Sequence, residues 1–254
     1  MIVAIDIGNS SINIGFFDKL HLLVKRIDTN LQLPRSEHSE QIHRFMREKN
    51  IDKLPDGSII SSVVPEQTGV WKEIIRGFTP VEPLIVNYKM KTGLRFDIPN
   101  PENLGSDRIA NAVAAYNTYK CPVAVVDIGT ATTMSVIGNE GNFVGGAIMP
   151  GIRLMNESLA QETSSLHEVP LNIPESALGI DTIRCIQTGL FYGTAGAIEK
   201  IINEIEREIG LKLKVVVTGG YGRIIHKYIK RRHSLRPYLT LEGLNILYVR
   251  NTDA

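Results

Sequence analysis

Two short segments carry residues that could do chemistry, and they carry them in the same arrangement. Val3-Ala4-Ile5-Asp6-Ile7-Gly8-Asn9-Ser10 and Val125-Val126-Asp127-Ile128-Gly129-Thr130 each set an aspartate near the end of an apolar, β-branched run. A glycine follows two residues later, and then short polar side chains. A carboxylate at the end of a buried strand is costly unless it is paired or holds a cation. The glycine lets the backbone turn tightly and bring N–H groups up to an anion. Asn9, Ser10 and Ser11, and in the second segment Thr130 and Thr132, can donate to phosphate oxygens. The pair therefore reads as two phosphate-binding turns, with Asp6 and Asp127 available to a metal ion or its waters. Either aspartate alone could do no more than satisfy its own turn; the repetition favours the shared role.

A third cluster, Gly105-Ser106-Asp107-Arg108, stands at the start of an expected helix. Arg108 could hold a carboxylate through a charge-assisted fork, and Asp107 could take a proton from a hydroxyl. The same residues also suit a helix cap with a surface ion pair. Gly219-Gly220, after the apolar run 214–218, offers a place where a flat ring or a ribose could approach the backbone. Other nucleotide signatures are missing: Gly141 to Gly146 is followed by Ala147 without a lysine, and no glycine-rich dinucleotide fingerprint follows a strand. The six histidines show no ligand spacing. The basic run Lys227, Lys230, Arg231, Arg232, Arg236 has no interleaved aromatic residues and complements a helix end, so it gives no reason to expect nucleic acid.

The elements that must position these residues follow from hydropathy patterning. Strands are expected over 2–7, 12–17 and 22–27, an antiparallel meander with Asp18-Lys19 between the last two. An amphipathic helix over 36–49 takes Ser36 or Ser39 as its cap. A strand over 58–64, a helix from Pro65 carrying Trp71, a strand over 83–87 and a helix over 104–119 with an alanine-rich, close-packing middle come next. The pattern then restarts, with strands over 123–128, 132–137 and 142–148. Helices are expected over 152–162 and 180–209, the second broken near Gly189, Gly193 and Gly196. A strand over 214–218 and a helix over 223–231 follow, and 241–249 stays open between strand and helix. The restart suggests duplication of one α/β unit, giving domains over 1–117 and 118–254.

Composition narrows the function classes. A 43% hydrophobic and 22% charged chain of 254 residues has enough apolar material for an ordinary globular core. A net charge of +1 removes any global attraction to nucleic acid or an anionic membrane. Two cysteines, Cys121 and Cys185, are too few for a disulfide framework and read as buried thiols. No targeting segment and no run long enough to span a bilayer is visible, so a cytoplasmic protein is expected.

In combination the motifs resemble type III pantothenate kinase. The resemblance rests on Asp6-Ile7-Gly8-Asn9-Ser10, on Gly105-Ser106-Asp107-Arg108-Ile109-Ala110-Asn111-Ala112 and on Asp127-Ile128-Gly129-Thr130-Ala131-Thr132-Thr133. Gly145-Gly146-Ala147-Ile148-Met149-Pro150-Gly151, Gly189-Leu190-Phe191-Tyr192-Gly193 and Leu241-Glu242-Gly243-Leu244 extend it over nearly the whole chain. It implies an α/β fold of two ribonuclease-H-like domains with a cleft between them, as in actin-like ATPases and sugar kinases, in a homodimer. The implied reaction is ATP-dependent phosphorylation of pantothenate, the first step of coenzyme A synthesis.

Carried over by position, Asp6, Ile7, Gly8, Asn9, Ser10, Ser11, Ile12 and Asn13 would form the first ATP phosphate loop, with Asp6 near Mg²⁺. Thr130 would contact ATP, and Asp127 would hold a monovalent cation, K⁺ or NH₄⁺. Gly105, Ser106, Asp107 and Arg108 would bind pantothenate, with Asp107 as the proton acceptor. Thr182 would be a further contact, reached from the partner subunit. Two positions depart from the family's usual pattern. Ser10 replaces a more common threonine and keeps the hydroxyl, whereas Ile98 stands where a substrate-contacting tyrosine is usual and cannot donate a hydrogen bond. Competing expectations are a nucleotide-binding regulatory relative without kinase activity and a superfamily kinase with another acceptor.

Overall fold

The computed structural model describes residues 1–18, 21–29 and 33–252. Lys19, in the expected turn before the third strand, lies outside the described residues. The chain forms two compact units, one from Met1–Gly93, Pro99–Ala114 and Leu239–Ala254, the other from Leu94–Ile98 and Ala115–Tyr238.

In the first unit β1 (Ile2–Ile7), β2 (Ser11–Asp18), β3 (His21–Asp28), β4 (Gly57–Ser62) and β5 (Leu84–Ile85) form one sheet in the order β3-β2-β1-β4-β5. The first three strands are the expected antiparallel meander; β4 and β5 join in parallel. Val3, Ala4, Ile5 and Ile7 of the central strand are all buried, because helices cover both sides. On one side α1 (Arg35–Glu48) and α2 (Pro65–Arg76) pack Ile42, Phe45, Trp71 and Ile75 against Val3, Ile5 and Ile7. α1 opens at Pro34 with no side-chain cap, so neither Ser36 nor Ser39 plays the expected part; proline's fixed φ pre-forms that end.

The other side is covered by α7 (Leu239–Thr252), which resolves the open segment 241–249 as a helix. Its Leu241, Leu244 and Leu247 are buried, and Thr240 Oγ1 donates to Asn111 Oδ1 of α3 (Ser106–Tyr119) at 2.9 Å. A β-carbon on Gly243 would overlap the Ala110 carbonyl, so the alanine-rich middle of α3 does pack closely, here backbone against backbone. The contiguous division at 117/118 would assign α7 to the second domain; these contacts group it with the first unit.

The second unit repeats the topology. β7 (Val123–Ile128), β8 (Ala131–Ile137), β9 (Asn142–Pro150), β10 (Lys214–Thr218) and β11 (His233–Leu235) run in the order β9-β8-β7-β10-β11, with the same pattern of antiparallel and parallel pairs. A short extra strand, β6 (Arg95–Phe96), adds in parallel to β9. Two matching five-strand orders, each opened by an Asp-Ile-Gly hairpin, are the duplicated α/β units that the restart predicts, in the ribonuclease-H-like form that the resemblance implies.

α4 (Ile152–Glu162) and α5 (Thr182–Ile209) pack on this sheet through Ile152, Leu190, Phe191, Ala195, Ile198 and Ile202. α5 is continuous over 28 residues and is not broken at its glycines. Gly189, Gly193 and Gly196 lie on its open side, so the buried apolar stripe carries the helix past them. The helix expected over 223–231 shortens to α6 (Gly222–Ile225) and a 3₁₀ turn over 226–228. The chain leaves it because the Arg231 N–H donates to Glu199 of α5 at 2.8 Å, and its guanidinium pairs with buried Glu206. Arg231 is thus a structural member of the basic run. Cys121 is partly buried and Cys185 is exposed on the first turn of α5, so only the absence of a disulfide matches expectation. Among the described residues no helix is long and apolar enough to cross a membrane.

Candidate active site

The first hairpin is built by the β1–β2 register, which sets Asp6 opposite Asn13 and Ile7 opposite Ile12, leaving 8–11 as the turn. Gly8 N–H donates to Ser11 O at 3.0 Å and closes it. From β3's end, Thr29 Oγ1 donates to Gly8 O at 2.6 Å and its N–H to Ser10 O at 3.2 Å. Two turn carbonyls are thereby tied back, and Asn9 is left exposed at the tip. Ile7 and Ile12 are buried beneath the turn, where they support it without facing a ligand. Asp6 keeps partial exposure and is paired in register with Ser61 of β4.

Gly105-Ser106-Asp107-Arg108 opens α3 beside the end of β4. Ser62 N–H donates to Ser106 Oγ at 2.9 Å, Ser106 Oγ donates to Ser62 O at 3.0 Å, and Ser61 Oγ lies 3.0 Å from Ser106 Oγ. Asp107, the next residue, accepts the Arg108 N–H on Oδ1 at 2.8 Å. It keeps some solvent contact but stands among enough protein that burial pushes its carboxyl up from the ordinary range, against the pull of the Arg108 N–H and guanidinium. Burial also lowers the Arg108 guanidinium from its usual value. A carboxylate whose basicity burial raises, beside a guanidinium, suits a proton acceptor for a hydroxyl on an anionic substrate. Asp6 and the 105–108 cluster thus meet through β4 at one end of the first sheet.

The second hairpin is one residue tighter. Asp127 pairs with Thr133 and Ile128 with Thr132, leaving 129–131, and Gly129 N–H donates to Ala131 O at 3.0 Å. Gly151 N–H donates to Thr130 O at 3.0 Å and Tyr221 N–H to Ile128 O at 2.9 Å. Gly219 adopts φ +91°, and a β-carbon there would overlap Asp127 Oδ1. Gly219 therefore lets the backbone approach the Asp127 carboxylate and the Ile128 peptide closely, which is what this structure makes of the Gly219-Gly220 pair. Thr132 Oγ1 is buried with no hydrogen-bond partner, an orphaned oxygen beside the same turn.

Ile98 and Thr182 stand elsewhere in the second unit. Ile98 follows β6 and is partly buried; the strand is held by Arg95 on Asp97 at 2.8 Å and by Asn142 on Asp97 at 3.0 Å. Thr182 is the exposed first residue of α5, whose cap Asp181 accepts the Arg184 N–H at 2.8 Å. Thr182 lines an apolar groove of about 1040 Å³ between α4 and α5, with Leu154, Met155, Leu159, Ile186 and Leu190. Neither hairpin nor residues 105–108 line that groove.

Sequence reasoning missed Ser61 and Ser62. Their signal was present: two polar residues closing a buried strand, the feature that drew attention to Asp6. Among the described residues no group of three or more His, Cys, Asp or Glu side chains could hold a metal ion. Single carboxylates flanked by hydroxyl and carbonyl oxygens suit a hard cation that keeps water or phosphate ligands.

A family model described as type III pantothenate kinase matches residues 2–204. The type III pantothenate kinase of Roseiflexus sp. (strain RS-1) is 39% identical over 253 residues, 99% of each chain. Among solved structures, a conserved putative Baf family transcriptional activator from Campylobacter jejuni superposes with TM-score 0.61 at 20% identity, covering 99% of this chain and 100% of that one. The inorganic polyphosphate/ATP-glucomannokinase of Arthrobacter sp. strain KM follows the same fold with TM-score 0.51 at 15% identity, over 98% of both chains. The two units thus have the fold shared by actin-like ATPases and sugar kinases.

Proposed function

This chain belongs to the type III pantothenate kinase family, and on that premise we propose that Asp107 accepts the proton of the pantothenate hydroxyl while the two Asp-Ile-Gly hairpins hold ATP and its cations. The activity follows from membership: the protein is a kinase that phosphorylates pantothenate, the first step of coenzyme A synthesis. The observation that carries the residue assignment is the start of α3. There a carboxyl raised by burial stands next to Arg108, and the hydroxyl of the preceding residue, Ser106, ties the helix start to the strand beside Asp6.

In the reaction the terminal hydroxyl oxygen of pantothenate attacks the γ-phosphorus, its proton passes to Asp107, and ADP leaves. A primary alcohol is a poor nucleophile, so a carboxylate made more basic by burial aids the attack. Most of the acceleration comes from positioning and charge neutralisation. Residues 6–13 form the turn that binds ATP phosphates, with Ile7 and Ile12 supporting it from beneath, and Thr130 binds through the second turn. Gly105, Ser106 and Arg108 shape the pantothenate end, Arg108 taking its carboxylate; Ile98 packs against substrate without donating a hydrogen bond. Asp6 suits Mg²⁺, which when bound neutralises phosphate charge. Asp127, against whose carboxylate the Gly219 backbone packs closely, suits K⁺ or NH₄⁺.

The working form is a homodimer in the cytoplasm, with neither nucleic acid nor membrane as partner. Leu178 and Ile180 are 76% and 78% exposed and Ile183 is 51% exposed, all within four residues of Thr182 in the chain, and Thr182 itself lines the α4–α5 groove. A second copy covering this apolar face would bury these side chains and bring its Thr182 to the pantothenate of its neighbour. Ile180→Glu should then yield a monomer by light scattering, with impaired pantothenate turnover.

The reading is tested by phosphopantothenate formation from MgATP in potassium and in sodium. Potassium-dependent product supports the cation site; equal rates in both salts remove it. ATP turnover with a sugar in preference to pantothenate would reassign the acceptor.

A further inference from the structure

We propose that Ser61, Ser62 and Ser106 form a positioning clamp that fixes Asp107 for proton transfer, and that the Ser106 hydroxyl serves this clamp and is not a pantothenate contact. The proposal rests on the reading of Asp107 as the proton acceptor.

Three observations carry it. First, the Ser106 hydroxyl is fully engaged within the protein: it accepts the Ser62 N–H at 2.9 Å, donates to Ser62 O at 3.0 Å and lies 3.0 Å from Ser61 Oγ. A hydroxyl has one proton to give and two lone pairs, so accepting from the Ser62 N–H and the Ser61 hydroxyl while donating to Ser62 O uses its whole capacity. Ser61 is 0% and Ser106 9% exposed, which leaves a substrate little to reach. A helix-capping serine would accept from its own helix; Ser106 spends its bonds on a strand 44 residues away.

Second, the other side of the clamp is itself immobilised. Ser62 Oγ accepts the Thr68 hydroxyl at 2.8 Å and the Val64 N–H at 3.2 Å, tying the end of β4 to the first turn of α2. Ser61 is the register partner of Asp6, so the strand that grips Ser106 is the one laid against the phosphate hairpin.

Third, what the clamp holds is the residue next to the base. Ser106 sets where α3 starts, and the Arg108 N–H then sets the Asp107 carboxylate at 2.8 Å. Loss of the clamp frees the helix start to shift, and displacement of a reacting group by about 1 Å can cost ~100-fold in rate.

The test is steady-state kinetics of Ser106→Ala, Ser106→Thr and Ser61→Ala beside Asp107→Asn, with binding of a non-hydrolysable ATP analogue measured on each. The clamp predicts that Ser106→Ala lowers kcat by roughly 10- to 100-fold while KM for pantothenate and analogue binding change by less than about threefold. Ser61→Ala, which removes one bond, should lower kcat less, and Ser106→Thr, which keeps the hydroxyl, should recover most of it. If Ser106→Ala instead raises KM at unchanged kcat, the hydroxyl is a substrate contact and the clamp is wrong. Wild-type kinetics in both alanine variants, with Asp107→Asn inactive, overturn the clamp and leave the base in place. An active Asp107→Asn overturns the base itself. Should Ser106→Ala not fold, Ser61→Ala decides by the same split between kcat and KM.

Discussion

Gly105 and Asp107 stand so close that a β-carbon on Gly105 would lie 2.5 Å from Asp107 Oδ1. The contact is to the tip of a side chain, so an alanine can be accommodated only by turning that carboxylate away. Gly105→Ala should therefore fold with a melting temperature near that of wild type and lose about 10- to 100-fold in kcat. Unchanged kcat would show that the Asp107 carboxylate need not sit where this structure holds it.

Because burial raises the Asp107 carboxyl, its ionisation opposes folding. The stability this group contributes is present below its unfolded value of 3.8 and is lost as pH rises through the raised folded value. At pH 7.5 Asp107→Asn should accordingly melt higher than wild type, while at pH 4 the difference shrinks. The same upward shift puts the acid limb of the wild-type kcat/KM profile above the ordinary carboxylate range. Calorimetry at the two pH values and a pH–rate series check the two halves separately.

At the second hairpin, Gly219→Ala forces a left-handed backbone onto an alanine and crowds Asp127 Oδ1. The expected outcome is an enzyme whose rate no longer depends on the choice of potassium or sodium. Retained potassium stimulation would move the monovalent cation away from Asp127.

His38 is buried against Trp71 with neither ring nitrogen bonded, and burial lowers its pKa from 6.5, with Glu37 opposing. The unfolded chain therefore takes up a proton that the folded chain refuses. This stability is present above pH 6.5 and declines as pH falls below it. Urea midpoints between pH 7.5 and 5.5 should fall more for wild type than for His38→Leu; parallel slopes would contradict this.

Much of this arrangement was legible in the chain. Asp6 and Asp127 announced their hairpins because the same carboxylate-and-glycine ending of an apolar run occurs twice, and strand periodicity placed most of both sheets. What escaped detection depended on tertiary partners. α5 survives Gly189, Gly193 and Gly196 because its other face is buried, and no local propensity reveals that. The helix after β10 ends early because Glu199, on α5, takes the Arg231 N–H. α7 could not be assigned from 241–249 alone, since its leucines serve a sheet more than 150 residues earlier. Ser61 and Ser62 looked like the ordinary end of a strand; only the fold sets them against Ser106. Ile98 and Thr182 came entirely from the family pattern.

The most direct measurement is pantothenate-dependent ADP release by wild type and Asp107→Asn, with binding of a non-hydrolysable ATP analogue on both. Loss of at least ~100-fold in turnover with analogue affinity unchanged is the predicted result. Turnover near the wild-type rate in Asp107→Asn would contradict the account.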